Sequence, residues 1–178
     1  KIKLEVSELL QEQLVSKLQS GELDLAILYD LGLDPSKLSW RVLAKPKPYV
    51  LLPADHKLTS QKSISLKALA KEPYVLFDAP GSREYFYAIF AQHNINPIVA
   101  FRSTSLESVR SAVGHGLGFS LLTMRPHSSI TYEGQKVSAI EIKDAIEPTQ
   151  IVLAQKISTN KSKLTQNFTD FCEKDFSK

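Results

Sequence analysis

Apolar and polar positions along the chain switch between a period of two and a period near four, which predicts short strands interleaved with helices. Ile2, Leu4 and Val6 alternate with Lys1, Lys3 and Glu5, the pattern of a half-buried strand. Leu10, Leu14 and Leu18 then recur at every fourth position, with Val15 beside them, so a helix with one apolar face follows. Gly21 stands where that helix wants a left-handed residue to end it. The nearly unbroken apolar run LDLAILY, residues 23–29, predicts a strand covered on both sides. Strand, helix and strand in this order predict a βαβ unit and a parallel sheet.

Further on, Asp34-Pro35 marks a loop within 31–39. WRVLAKP and YVLLP (49–53) read as two short strands, and LKALA (66–70) as a short helix. YVLFD (74–78) is another apolar strand, APGS a turn, and REYFYAIFAQ (83–92) a helix with Phe86, Ile89 and Phe90 inward. Pro97 opens the strand PIVAFR, residues 97–102. Residues 124–136 are irregular, while KVSAIEI (136–142) and QIVLA (150–154) are strands. In the last helix Leu164, Phe168, Phe171 and Cys172 share one side. The chain is thus α/β, with βαβ-like regions separated near residues 44–48 and a final strand and helix free to return to the first. Two crossings of that kind make a two-lobed binder with a cleft at the hinge.

The stretch STSLESVRSAVGHGLGFSLLT, residues 103–123, holds three glycines in five positions. A dinucleotide-binding loop places its glycines between a strand and the start of a helix, where backbone N–H groups meet the phosphate. Here the order is reversed. Thr104 to Glu107 has the T-x-x-E form of a capping box at a helix start, and Leu106, Val109 and Val113 form that helix's buried stripe. The glycines at 114, 116 and 118 come at its end, which carries partial negative charge. Gly116 is the expected left-handed residue, and Gly118 gives close helix–strand packing. The end of this helix that suits an anion is the start, at Ser103, Thr104 and Ser105. Ser82, after Pro80 and Gly81, stands in the same place before the helix at 83–92. Ligands of open α/β sheets collect at the carboxyl ends of strands, where such helices begin.

The chain has 178 residues, 43% hydrophobic and 23% charged, the balance of a globular protein. Net charge is +3, and the Lys and Arg residues are dispersed. A basic stripe of the sort that binds nucleic acid is missing. The single cysteine, Cys172, excludes an internal disulfide and fits a reducing compartment. KIKLEV lacks the features of a signal peptide, and no apolar run is long enough to span a bilayer.

GELDLAI (21–27), LLPADHKL (51–58) and LESVRSAVGHGLGFSLL (106–122) resemble, in order and spacing, the effector-binding domain of LysR-type transcriptional regulators. The resemblance covers most of the chain. It implies a type 2 periplasmic-binding-protein-like fold: two α/β lobes joined by two crossover strands, with residues 1–46 and 148–178 in lobe one and 47–147 in lobe two. It further implies that the winged helix-turn-helix, which reads DNA in the full-length protein, lies outside this chain together with the first strand and helix of lobe one. A small, anionic effector is expected in the interlobe cleft, in a cytoplasmic homodimer that becomes a tetramer at full length, with no membrane partner. Matched to the family pattern, the effector contacts fall on Gln11 (where a Ser or Thr is usual), Tyr29, Pro80, Gly81, Ser82, Arg83, Ser103, Thr104 and Ser105. Arg83 could supply charge to an anion.

Histidines 56, 93, 115 and 127 have no partner at metal-ligand spacing, so neither a metal nor a cofactor is expected. His56 and His115 read as structural. No G-x-S-x-G elbow supports hydrolysis, and Cys172 on an apolar face reads as core. An enzyme on the same fold would need acid–base residues in the cleft, where the candidates are hydroxyls, amides and one Arg. A periplasmic-type solute-binding protein of the same fold is the alternative to a regulator.

Overall fold

The computed structural model describes residues 4–157 and 162–176. In chain order its elements are α1 (Gln11–Ser20), β1 (Ala26–Tyr29), β2 (Leu38–Ala44), β3 (Tyr49–Pro53), β4 (Ser63–Ile64), β5 (Pro73–Phe77), α2 (Ser82–Gln92), β6 (Ile98–Ser103), α3 (Leu106–Gly114), β7 (Ser120–Leu122), β8 (Val137–Ile142), β9 (Ile151–Lys156) and α4 (Lys163–Phe176). Short 3-10 turns occupy Lys57–Ser60 and Leu66–Leu69. The chain divides into two compact units, Lys1–Pro46 with Thr149–Lys178, and Lys47–Pro148.

In the first unit β9 lies between β1 and β2 and is antiparallel to both. This corrects the parallel sheet expected from the βαβ pattern. The strand that fills the centre comes from the far end of the chain, and its direction is invisible to local periodicity. Leu4 and Val6 are exposed and in no strand, and Ile2 lies outside the described residues. α1 forms as its spacing requires, ending at Gly21 with φ +82°. Leu18 is fully buried and packs with Leu28, Leu38 and Val152, while Leu10 stays exposed. β1 is shorter than its apolar run. Ala26 and Leu28 are buried and Ile27 is 48% exposed, so its two faces are unequally covered.

β9 alternates, so Leu153 faces away from Val152 and Ala154 and packs with Leu43 and Cys172 of α4. Of the expected apolar side of α4 only Cys172 is buried. Leu164, Phe168 and Phe171 are exposed, and the buried row is Thr169 and Cys172. A helix touching a narrow sheet through one row leaves its flanking residues outside.

In the second unit β3 pairs antiparallel with β7 and β8, β4 joins β8 in parallel, and β5 and β6 form a parallel pair. Phe119 ties these sheets together. Val75 N–H donates to its carbonyl at 2.8 Å, and its own N–H donates to the Pro73 carbonyl at 3.0 Å. β3 and β5 carry apolar side chains on both faces because both faces are covered. Val50, Leu52, Tyr74 and Leu76 pack with Phe86 and Phe90 of α2. Tyr49, Leu51 and Val75 pack with Val109 and Val113 of α3. The glycine corner turns α3 into β7. Gly116, at φ +80°, is the left-handed residue. Gly118 packs against a strand rather than a helix: a Cβ there would lie 2.1 Å from the Pro73 carbonyl oxygen. Gly118→Ala is expected to destabilise by about 3 kcal/mol and Gly116→Ala, with open space around it, by about 1 kcal/mol. Urea unfolding of the two variants checks this order.

Tyr49 is 2% exposed, donates to the Met124 carbonyl at 2.8 Å, and lies under Arg125, whose guanidinium carbon is 4.7 Å from the ring centroid. Burial pushes its phenol up to about 12, against the opposing pull of Arg125 and Arg110. A pKa raised in the folded state means that stability is fully present below the unfolded value near 10. It is lost as pH rises toward 12. Unfolding free energy measured at pH 8, 10 and 11.5 should fall by about 2 kcal/mol more in the wild type than in Tyr49→Phe.

Candidate functional site

The site is built on the carboxyl ends of β5 and β6. These strands run parallel with Phe77 beside Ser103, and Asp78 N–H donates to the Ser103 carbonyl at 2.9 Å. The chain therefore leaves both strands on the same side and enters two helices. Pro80, Gly81, Ser82 and Arg83 follow β5 into α2, and Ser103, Thr104 and Ser105 follow β6 into α3. Phe86, Ile89 and Phe90, and Val109 and Val113, are all buried and hold the two helices down.

The cap of α3 is Ser105, one residue later than the expected capping box. Its backbone is extended and its Oγ accepts from Ser108 N–H at 3.3 Å. Ser103 Oγ accepts from Ser105 N–H at 3.1 Å. Thr104 is exposed. Glu107 does not reach back to the cap. Its carboxylate accepts from Tyr132 N–H at 2.6 Å and from Arg110 Nη1 at 2.7 Å. The N–H groups of Leu106 and Glu107 stand in the first turn, where a helix offers no internal acceptor.

At α2 the cap is Gly81, φ +81°, and Ser82 is the first helical residue rather than the cap. Glu84 Oε2 accepts from Gly81 N–H at 2.7 Å. Arg83 is not held open for a ligand. Nη1 donates to Asp78 Oδ1 at 3.0 Å, and Nη2 and Nε donate to Glu84 Oε1 at 2.7 and 3.0 Å. Glu84, then Asp78, push the guanidinium pKa up. The Glu84 carboxyl is held below its ordinary range by its own backbone N–H first, then by Arg83. Arg102 Nη1 lies 3.9 Å from Asp78 Oδ2.

Gln11 and Tyr29 belong to the first unit. Gln11 Nε2 donates to the Leu31 carbonyl at 2.8 Å, which anchors α1 to the loop after β1. Tyr29 is half-buried at the end of β1, opposite Ile151. Sequence reasoning missed Asp78, Glu84 and Arg102. Their only signal was alternating charge around a strand end, which a solvated turn also shows. It also missed Arg110, 4% exposed, whose Nη2 donates to the carbonyls of Ser128 and Ile130 at 2.7 and 3.2 Å. His56 caps a 3-10 turn through Nδ1, and His115 pairs with Glu133 at 2.9 Å. Among the described residues no group of three His, Cys, Asp or Glu is placed to hold a metal, and no helix is long and apolar enough to cross a membrane.

The sequence matches the family model described as LysR substrate binding domain over residues 1–177. The chain belongs to that family. Its fold is accordingly the type 2 periplasmic-binding-protein-like α/β fold. It is 37% identical to HinK, a LysR family transcriptional regulator from Pseudomonas aeruginosa, with a TM-score of 0.91 over 96% of this chain and 59% of that one. It is 28% identical over 110 residues to the transcriptional dual regulator GltC of Bacillus subtilis, covering 61% of this chain and 37% of GltC. It is 25% identical over 158 residues to the regulator CatR of Pseudomonas putida, covering 87% of this chain and 53% of CatR. The chain thus spans between about a third and just over half of these curated relatives, which are transcriptional regulators rather than enzymes. The BenM effector-binding domain, solved with its effector benzoate, shares the fold at a TM-score of 0.79 and 18% identity. The shikimate complex of QuiR does so at 0.78 and 22%.

Because Ser105 is the cap and Thr104 is not, Ser105→Ala should destabilise the LysR-family domain by about 1 kcal/mol and Thr104→Val by less than about 0.5 kcal/mol. Chemical denaturation distinguishes these outcomes from the capping-box assignment, which requires the reverse order.

Proposed function

We propose that this effector-binding domain senses a small anionic molecule at the paired helix starts of residues 80–83 and 103–105, and that binding modulates DNA binding by the full-length regulator. The observation that supports the reading is the parallel β5–β6 pairing, from whose common end the chain enters α2 and α3. The positive ends of both helix dipoles and the first-turn N–H groups of α3 favour an anion there. Benzoate and shikimate, held by the related folds of BenM and QuiR, are both carboxylates. Residues 1–46 and 148–178 serve as lobe one and 47–147 as lobe two, with Gln11 and Tyr29 as lobe-one contacts. The effector shifts the regulator's conformational equilibrium only by the difference in its affinity for the two states. DNA is reached through a separate N-terminal domain, in a cytoplasmic homo-oligomer.

Isothermal titration of this chain with a panel of small carboxylates, benzoate and shikimate included, tests the assignment. A hydrogen bond to a charged ligand carries about 1.5–3 kcal/mol. A binder should therefore lose about tenfold or more in affinity in Thr104→Val or Ser82→Ala. Equal affinity for wild type and both variants would remove these hydroxyls from the site.

A further inference from the structure

A groove of about 610 Å³ opens between α3 and the 126–132 strip, walled by Leu106, Pro126, Ile130 and Tyr132, with Arg110 and Glu107 also lining it. Its size suits a small molecule, and so does a mainly apolar wall that carries a few fixed polar groups. Arg110 is 4% exposed. A guanidinium has five N–H donors. Nη1 gives one to Glu107 Oε2, and Nη2 donates to the carbonyls of Ser128 and Ile130. Nε–H and the second Nη1–H meet no acceptor among the described residues. Buried donors of that kind gain from an acceptor that a ligand brings with it.

The two charges on the wall cancel. Arg110 and Glu107 are paired at 2.7 Å, with side chains 5% and 22% exposed. An ionised ligand would therefore shed its water here and find no counter-charge. Tyr132 is held at its backbone, whose N–H donates to Glu107 Oε1 at 2.6 Å, yet the residue is 92% exposed. A ring that is anchored and unpacked is free to close on the flat face of a ligand, where aromatic stacking adds to apolar burial.

We propose that this groove is a second small-molecule site of the domain, and that it takes an uncharged, flat aromatic molecule bearing a carbonyl acceptor. The ligand's ring packs with Leu106, Ile130 and Tyr132, and its carbonyl accepts from the free N–H groups of Arg110. The site uses none of residues 80–83 or 103–105 and selects against charge, so it stands or falls apart from the effector reading.

The test uses the whole 178-residue chain, with benzamide as the neutral probe and benzoate as its charged counterpart, followed by backbone amide chemical shifts. Benzamide should shift the amides of Ile130, Thr131 and Tyr132 saturably and bind there more tightly than benzoate. Tyr132→Ala should lower the benzamide affinity about fivefold or more, and Tyr132→Phe, which keeps the ring, should restore it. Both variants retain the backbone N–H that Glu107 holds, and the side chain is exposed, so a change in affinity reports the ring and not a loss of fold. Thr104→Val and Ser82→Ala should leave benzamide binding unchanged. Three results overturn the proposal: no saturable shift at 130–132, equal affinity in Tyr132→Ala, or tighter binding of benzoate at these amides. A benzamide response that weakens as protein concentration rises, with sedimentation showing a dimer, gives the groove to a second copy of the chain and also overturns it.

Discussion

The parallel register of β5 and β6 is the constraint on which the site depends. Two parallel strands send the chain out on the same side, and a helix must follow each to cover the sheet. The helices pack against different residues, α2 with Leu52 and Leu76 and α3 with Leu51 and Val75, and each follows the same end of its strand. Phe77 opposite Ser103, with the Asp78-to-Ser103 hydrogen bond beyond it, keeps the two turns level. A slip of one residue in this pair would move Phe77 away from Ser103 and offset the two turns.

Within that frame the two helix starts are chemically unlike. α3 is capped by a neutral hydroxyl, and among the described residues no carboxylate is recorded on its first-turn N–H groups. At α2 the protein has already supplied the anion, through Glu84. The one cation predicted for an effector is spoken for by Asp78 and Glu84. The α3 start is thus a neutral hydroxyl cap and the α2 start a balanced ionic cluster.

Much of the fold was legible because its strongest signals are local. The spacing of Leu14 and Leu18 with Gly21 behind them, the buried trio in α2, and the helix-to-strand sense of the glycine corner each follow from a few adjacent residues. The failures share a cause: they concern partners distant along the chain. A period of two at residues 2–6 says that a strand could form and not that a neighbour exists for it. The sense of the sheet around β1 depends on β9, over a hundred residues away. Around the two helix starts the elements were readable, but the local roles of their residues were not. Ser103, Thr104 and Ser105 are three consecutive hydroxyls, any of which could cap, and the backbone conformation at 105 makes the choice. Arg83 is a cation in the sequence and half of a salt-bridge pair of contacts in the fold.

Arg110 has one further consequence. Its fork binds Glu107 in the first turn of α3 and the carbonyls of Ser128 and Ile130, and Glu107 in turn binds Tyr132 N–H. These links run through a nearly dry guanidinium and behave as a stiff strut rather than a hinge. The first turn of α3 and the 128–132 strip, with the ring of Tyr132 standing in solvent, therefore travel as one piece.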